Sequence, residues 1–155
     1  MIHVKAPLDY AAHRDKKSVF LAGSIEMGAA EEWQDAVANG LSDTDVLVLN
    51  PRRNNWDSSW VQSMDNPQFR EQVEWELSGI EAADIVAFYF SPSTKAPISM
   101  LELGIQAARA PQRAVVCCPH GFWRKGNVDI VCAHHNVRQV GTLEALVAAV
   151  KERLG

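Results

Sequence analysis

Apolar residues gather in short unbroken runs at 18–22, 46–49, 84–90 and 114–118, with a weaker run at 137–140. Runs that do not alternate with polar positions suit parallel strands covered on both faces. Between them, apolar positions recur at helical spacing over 29–41, 67–82 and 98–108, over a shorter stretch at 126–133, and over 142–154. Pro67 fits a first helical turn, and Thr142 fits an N-cap. Strand and helix alternate throughout, which predicts a doubly wound, flavodoxin-like or Rossmann-like α/β domain with five parallel strands in three α/β/α layers. The common strand order at this size is 2-1-3-4-5. A chain of 155 residues makes one domain. Residues 1–17 precede the first predicted strand and read as an N-terminal extension.

Composition narrows the function classes. The net charge of −4 argues against a non-specific nucleic-acid binder. No apolar stretch approaches the ~20 residues that span a bilayer, and the charged N-terminus does not resemble a signal peptide. A soluble cytoplasmic protein without membrane or nucleic-acid partners is expected. Cys117, Cys118 and Cys132 have neither disulfide-framework nor metal-ligand spacing, and read as buried core thiols.

Ligands of open α/β sheets bind at the carboxyl ends of the strands. Three segments fall there: 23–28, 50–66 and 91–99. The first, Gly23-Ser24-Ile25-Glu26-Met27-Gly28, opens a helix and offers backbone N–H groups to an anion or a polarised ligand. It also reads as a plain tight turn with Ser24 as a cap, and it lacks the pattern of a dinucleotide or triphosphate loop. The second begins Asn50-Pro51-Arg52-Arg53 and brings Trp56 and Trp60 close behind. Arginines among aromatics suit a nucleobase with its sugar, and they equally suit a subunit interface.

Two carboxylates stand out. Glu76 shares its helix with an apolar stripe of Phe69, Val73, Leu77 and Ile80, and at ~100° per residue falls on the margin of that stripe. It is either solvated or held near a core, where a carboxylate is costly unless paired. Glu102 completes the pattern Ser99-Met100-Leu101-Glu102, which fits a capping box. Its helix begins where ligands bind, so it also fits a nucleophile. Asp84 reads as a turn cap. His13, His120, His134 and His135 lie near no convincing catalytic or metal partner. Phe122-Trp123-Arg124-Lys125-Gly126-Asn127 forms a further aromatic and basic loop that suits a pocket wall or a neighbouring subunit.

Taken in order, residues 19–25 (Val-Phe-Leu-Ala-Gly-Ser-Ile), Asn50-Pro51-Arg52, Trp75-Glu76, Ala83-Asp84-Ile85-Val86, Leu101-Glu102-Leu103-Gly104 and residues 121–127 resemble the nucleoside 2-deoxyribosyltransferase-like family. The Gly-Ser-Ile turn also resembles the related deoxynucleoside 5'-monophosphate N-glycosidases. The resemblance implies that Glu102 is the nucleophile, that Glu76 is the second acid in a position where better-known members carry Asp, and that Gly23, Ser24 and Ile25 line the pocket. It implies that Asn127 reaches a neighbouring subunit, and the tryptophans in exposed-looking loops, Trp56, Trp60 and Trp123, predict a homo-oligomer. Asn50, Arg52, Arg53, Trp56, Ser99 and Trp123 complete the expected binding set. One departure is plain: transferases of the family have an Asp six residues before the nucleophile, and this chain has Ala96.

The resulting expectation is cleavage of the N-glycosidic bond of a small-molecule nucleoside or nucleotide through a glycosyl-Glu102 intermediate. A free base would resolve it in a transferase, and water in a hydrolase. No metal or organic cofactor is expected. A non-catalytic nucleotide-binding module and an NAD glycohydrolase are the rival readings.

Overall fold

The computed structural model describes residues 1–26 and 30–155. Met27, Gly28 and the expected helix start at Ala29 lie outside the described residues. The chain forms β1 (Ile2–Lys5), β2 (Ser18–Gly23), α1 (Trp33–Gly40), β3 (Leu47–Asn50), α2 (Pro67–Ala82), β4 (Ile85–Tyr89), α3 (Pro97–Arg109), β5 (Ala114–Cys117), α4 (Lys125–His135), β6 (Arg138–Val140) and α5 (Leu143–Leu154). The sheet is six-stranded and wholly parallel, in the order β1-β3-β2-β4-β5-β6. The expected order of five strands is present inside it. The sixth, β1, comes from the supposed extension and pairs Ile2 through Lys5 with Leu47 through Asn50.

Two apolar layers sandwich the sheet. Phe20, Leu49, Val86, Phe88 and Phe90 face α2, α3 and α4. Val19, Leu21, Val48, Ala87 and Val115 face α1 and α5. Every residue of β2 is buried, which is why its sequence lacks alternation. The N-terminal segment also joins the core. Tyr10 meets Trp75 edge-on at 5.8 Å, and the Trp75 indole donates to the Leu8 carbonyl at 3.0 Å. Asp84 ties the starts of two central strands. Its carboxylate accepts from the Ser18 amide (2.8 Å) and hydroxyl (3.1 Å).

Helix ends follow local chemistry in two cases. Asn66 caps α2, accepting from the Gln68 and Phe69 amides, with Pro67 in the first turn. Thr142 caps α5 through the Ala145 amide at 3.1 Å. The third case corrects the capping-box reading. The α3 helix begins at Pro97, so Ser99 and Glu102 lie inside it. Its cap is Ala96, at φ 43° with no side-chain hydrogen bond. The free amides of Lys95 and Ala96 are instead satisfied by the Glu26 carboxylate, at 2.8 Å each. Cys117, Cys118 and Cys132 are free and buried. Among the described residues, no helix is long and apolar enough to cross a membrane.

Candidate active site

The inward side of α2 differs from the one its apolar spacing suggests. Leu77 is 44% exposed, and the buried residues are Gln72, Gly79 and Ile80. Glu76 therefore looks toward the sheet rather than lying on a margin. Gly79 explains how the helix comes so near: a Cβ there would lie 2.6 Å from the Phe20 ring. From α3, Ser99 (5% exposed) and Glu102 (8%) share the buried side with Leu103, Gln106 and Ala107. Both helices lean on β2, and their carboxyl groups influence each other.

Burial pushes the Glu76 carboxyl up to about 7, with a hydrogen bond from Gln72 opposing. Burial, and then the charge of Glu76, push Glu102 up to about 8. Like charges that share a desolvated space cannot both ionise cheaply, so the two titrate as a pair. The N-terminus of α3 does not offset this burial. Glu102 sits too far into α3 for the terminal N–H groups to dominate.

The turn after β2 is held mostly from within. Gly23 has φ 150°. The Ser24 hydroxyl accepts from the Ser91 amide at 2.9 Å and lies 2.6 Å from Thr94 Oγ1. Thr94 donates to the Ser91 carbonyl, so Ser24 donates to Thr94. The Ser24 hydroxyl thus braces the 91–96 loop. Ile25 is half-buried beside it.

The loop after β3 is similarly braced. The Asn50 side chain accepts from the Arg52 amide at 2.9 Å and meets His3 Nε2 at 3.2 Å. Its oxygen is committed to an N–H, so its nitrogen donates and His3 must accept. The Arg52 guanidinium donates to the carbonyls of Glu31 (2.9 Å) and Ala30 (2.8 Å). Arg53 pairs with Glu71 at 3.2 Å and lies over the Trp60 ring at 5.2 Å. Trp56 meets Trp60 edge-on at 5.2 Å, and its buried indole N–H has no acceptor.

Trp123 is 51% exposed, donates to the Lys95 carbonyl at 2.9 Å and carries the Arg124 guanidinium 4.5 Å from its ring. It borders the 91–96 loop. Asn127 is exposed in the first turn of α4 and touches none of these groups. Among the described residues no group of His, Cys, Asp and Glu could hold a metal ion. A cleft lined by Tyr10, Arg14, Ser18 and Asp84 opens at the amino ends of the strands, away from the two carboxylates.

Sequence pattern did not single out Gln72, Glu26 or His3. Gln72 carries a polar group into a buried layer, and His3 lies half-buried on the edge strand. Glu26 gives no local signal, because its partners lie 69 and 70 residues away.

Comparison with known proteins bears on this arrangement. No functionally curated protein matches the chain in sequence. A crystal structure titled as a conserved protein from Enterococcus faecalis V583 has a similar fold, with TM-score 0.63 at 14% identity, covering 89% of this chain and 99% of that one. The family model described as nucleoside 2-deoxyribosyltransferase like matches residues 16–122, a span that includes Gly23, Asn50, Glu76 and Glu102. By that match the chain belongs to the nucleoside 2-deoxyribosyltransferase-like family.

Proposed function

We propose that the protein is an enzyme that cleaves the N-glycosidic bond of a nucleoside or nucleotide through a covalent glycosyl-Glu102 intermediate. The observation that carries this reading is that half-buried Glu76 and buried Glu102 both present desolvated carboxyls that act on each other. Near neutral pH such a pair holds one proton, which rests mainly on Glu102 because its carboxyl is raised further, and the reacting form is the one with that proton on Glu76. One acid and one carboxylate are what double displacement at an anomeric carbon requires.

In the first step Glu102 attacks the anomeric carbon as carboxylate. The electron pair of the breaking C–N bond goes to the departing base, which takes the Glu76 proton. Positive charge develops at the sugar and is stabilised by Glu102 in a site with little water. In the second step a free base or a water molecule attacks the same carbon. Glu76 takes back the proton, and Glu102 leaves as carboxylate. In this reading the Ser99 hydroxyl, one turn before Glu102, hydrogen-bonds the sugar. Trp56 and Trp123 offer aromatic walls for the base. Arg52 and Arg53 support the polar end of the substrate through a held loop and a positive field, since their guanidiniums already engage Ala30, Glu31 and Glu71. We propose that Asn127 acts from one protomer on the site of a neighbour in a homo-oligomer.

Incubation with a panel of nucleosides and their monophosphates, with and without an acceptor base, tests the reading. Base release supports it. Tight binding of the whole panel with no release would leave a nucleotide-binding module in its place.

The carboxyl pair also predicts a pH profile. The doubly protonated pair lacks a nucleophile and the doubly ionised pair lacks an acid, so the rate should follow a bell with limbs near about 7 and about 8. These limbs belong to the pair rather than to either residue. In Glu76→Gln the neighbouring charge is gone, so Glu102 should ionise at lower pH. The bell should then collapse to a single rising limb that lies between the two wild-type limbs. A variant that keeps both wild-type limbs would show that other groups titrate.

A further inference from the structure

We propose that Gln72 is the positioning residue that decides which oxygen of Glu76 carries the catalytic proton, and that it links Glu76 to the loop after β3. The proposal rests on the glycosidic reading of Glu76 and Glu102 for its catalytic meaning, though not for its geometry. Gln72 lies one turn before Glu76 on α2 and is 3% exposed. Its Nε2 donates to the Pro51 carbonyl and to Glu76 Oε1, at 2.7 Å each. The amide orientation is fixed by chemistry, because a flip would set the Gln72 oxygen against the Pro51 oxygen, and a carbonyl can only accept. Both amide hydrogens are therefore used. The Gln72 Oε1 atom is buried with no donor.

The consequence for Glu76 is definite. Oε1 receives an N–H, so a neutral Glu76 carries its proton on Oε2. That proton goes from Oε2 to the departing base and returns to Oε2 from the attacking base or water. The Gln72 bond persists through both steps and strengthens while Glu76 is ionised. Pro51 stands between Asn50 and Arg52 in the loop expected to meet substrate. A shift of that loop on ligand entry would move the amide, and with it the acid.

The test uses wild-type protein labelled at glutamate carboxyl carbons and glutamine side-chain nitrogens, titrated by NMR across the neutral range. The Gln72 amide signals should move with the same midpoint as the Glu76 carboxyl. In Gln72→Met, which keeps the volume and loses the donors, the Glu76 midpoint should rise by about half a pH unit or more. With a cleavable nucleoside, kcat should fall ~10-fold while KM stays within ~2-fold. In a Glu76→Gln background, Gln72→Met should lower the rate no further, whereas a purely structural role would cost the same in both backgrounds. A Gln72 amide indifferent to pH in the wild type would overturn the proposal, as would an unchanged Glu76 midpoint in a folded Gln72→Met. Coupled titration without turnover of any nucleoside would uphold the role of Gln72 toward Glu76 and retire the glycosidic reading alone.

Discussion

Glu102→Gln should lose at least ~10³-fold in base release, a few kcal/mol of barrier, and at the same time melt at a higher temperature than wild type above neutral pH. The two effects share one cause. Glutamine keeps the shape of the side chain but supplies no charge to the forming cation and no oxygen able to bond it. The buried carboxylate that does this work is a burden to the fold. Its carboxyl is raised from the ordinary 4.5 to about 8 in the native protein, so between those values the native state binds more protons than the unfolded chain. Stability from this group is therefore complete below the unfolded value and is lost as pH rises toward the folded one. Glu76, raised to about 7, acts in the same direction. Removing one charge should stabilise the protein by ~2 kcal/mol at pH ~8, or about 5 °C in melting temperature, and by almost nothing at acid pH. Thermal unfolding across pH, run beside turnover, reads both. A variant that retains a tenth or more of the wild-type rate would dispose of Glu102 as nucleophile. A melting difference that does not widen with pH would contradict the burial of its charge.

Gly23→Ala should prevent accumulation of folded protein. The residue ends β2, the strand at the centre of the sheet, at φ 150°. A Cβ there would stand 2.2 Å from the Tyr89 carbonyl oxygen, 2.8 Å from the Trp33 ring and 2.9 Å from the Tyr89 amide nitrogen. Two of these neighbours are backbone of β4, which is paired on both sides and has no room to retreat. The expected cost exceeds ~4 kcal/mol, a large part of the stability of an ordinary domain. Gly104→Ala is the matched control. Nothing lies within 4 Å of a Cβ at Gly104, and the position is helical and exposed, so alanine should stabilise by ~0.5–1 kcal/mol. Denaturant unfolding of both variants distinguishes backbone demand from general sensitivity to glycine replacement. Comparable stability of the two would show that β2 and β4 can part locally.

The core strands were legible because burial on both faces leaves an uninterrupted apolar signature, and α2 and α5 because their caps are local. Three features were not legible, each for a physical reason. In β1, Ile2-His3-Val4-Lys5 alternates and carries charge, as an edge strand does, so it reads as an ordinary terminus. Along α2 the apolar spacing points to Phe69, Val73, Leu77 and Ile80, of which only Ile80 is buried, while Gln72 and Gly79 are buried beside it. Periodicity of apolar residues cannot find positions where a glycine or a glutamine is turned inward. At α3 the cap is Ala96, and the amides just before the helix are held by Glu26, from a loop distant in sequence, so the local Ser99-to-Glu102 pattern marked no cap. The expectation for Glu102 came by resemblance. Its raised proton affinity was not legible, because that comes from desolvation and from Glu76, both products of the assembled fold.

The place of β1 has a consequence for anyone who shortens or tags this chain. It covers β3, whose approach and first three residues, Val46-Leu47-Val48-Leu49, are four consecutive aliphatics without a charge. With β1 present, the sheet ends in a strand of four residues that includes a lysine, an edge poorly suited to recruiting another chain. A chain trimmed to begin at residue 16, where the family match starts, would turn β3 into the border and present a flat aliphatic ribbon with unpaired N–H and C=O groups. That is the composition of an aggregation-prone segment. The trimmed protein should sediment as assemblies that bind amyloid-reactive dyes even where its central strands still form, and a bulky fusion that displaces Ile2 or Val4 should do the same. The opening residues thus act as a shield against self-association, and a soluble, monodisperse trimmed chain would show that β3 needs none.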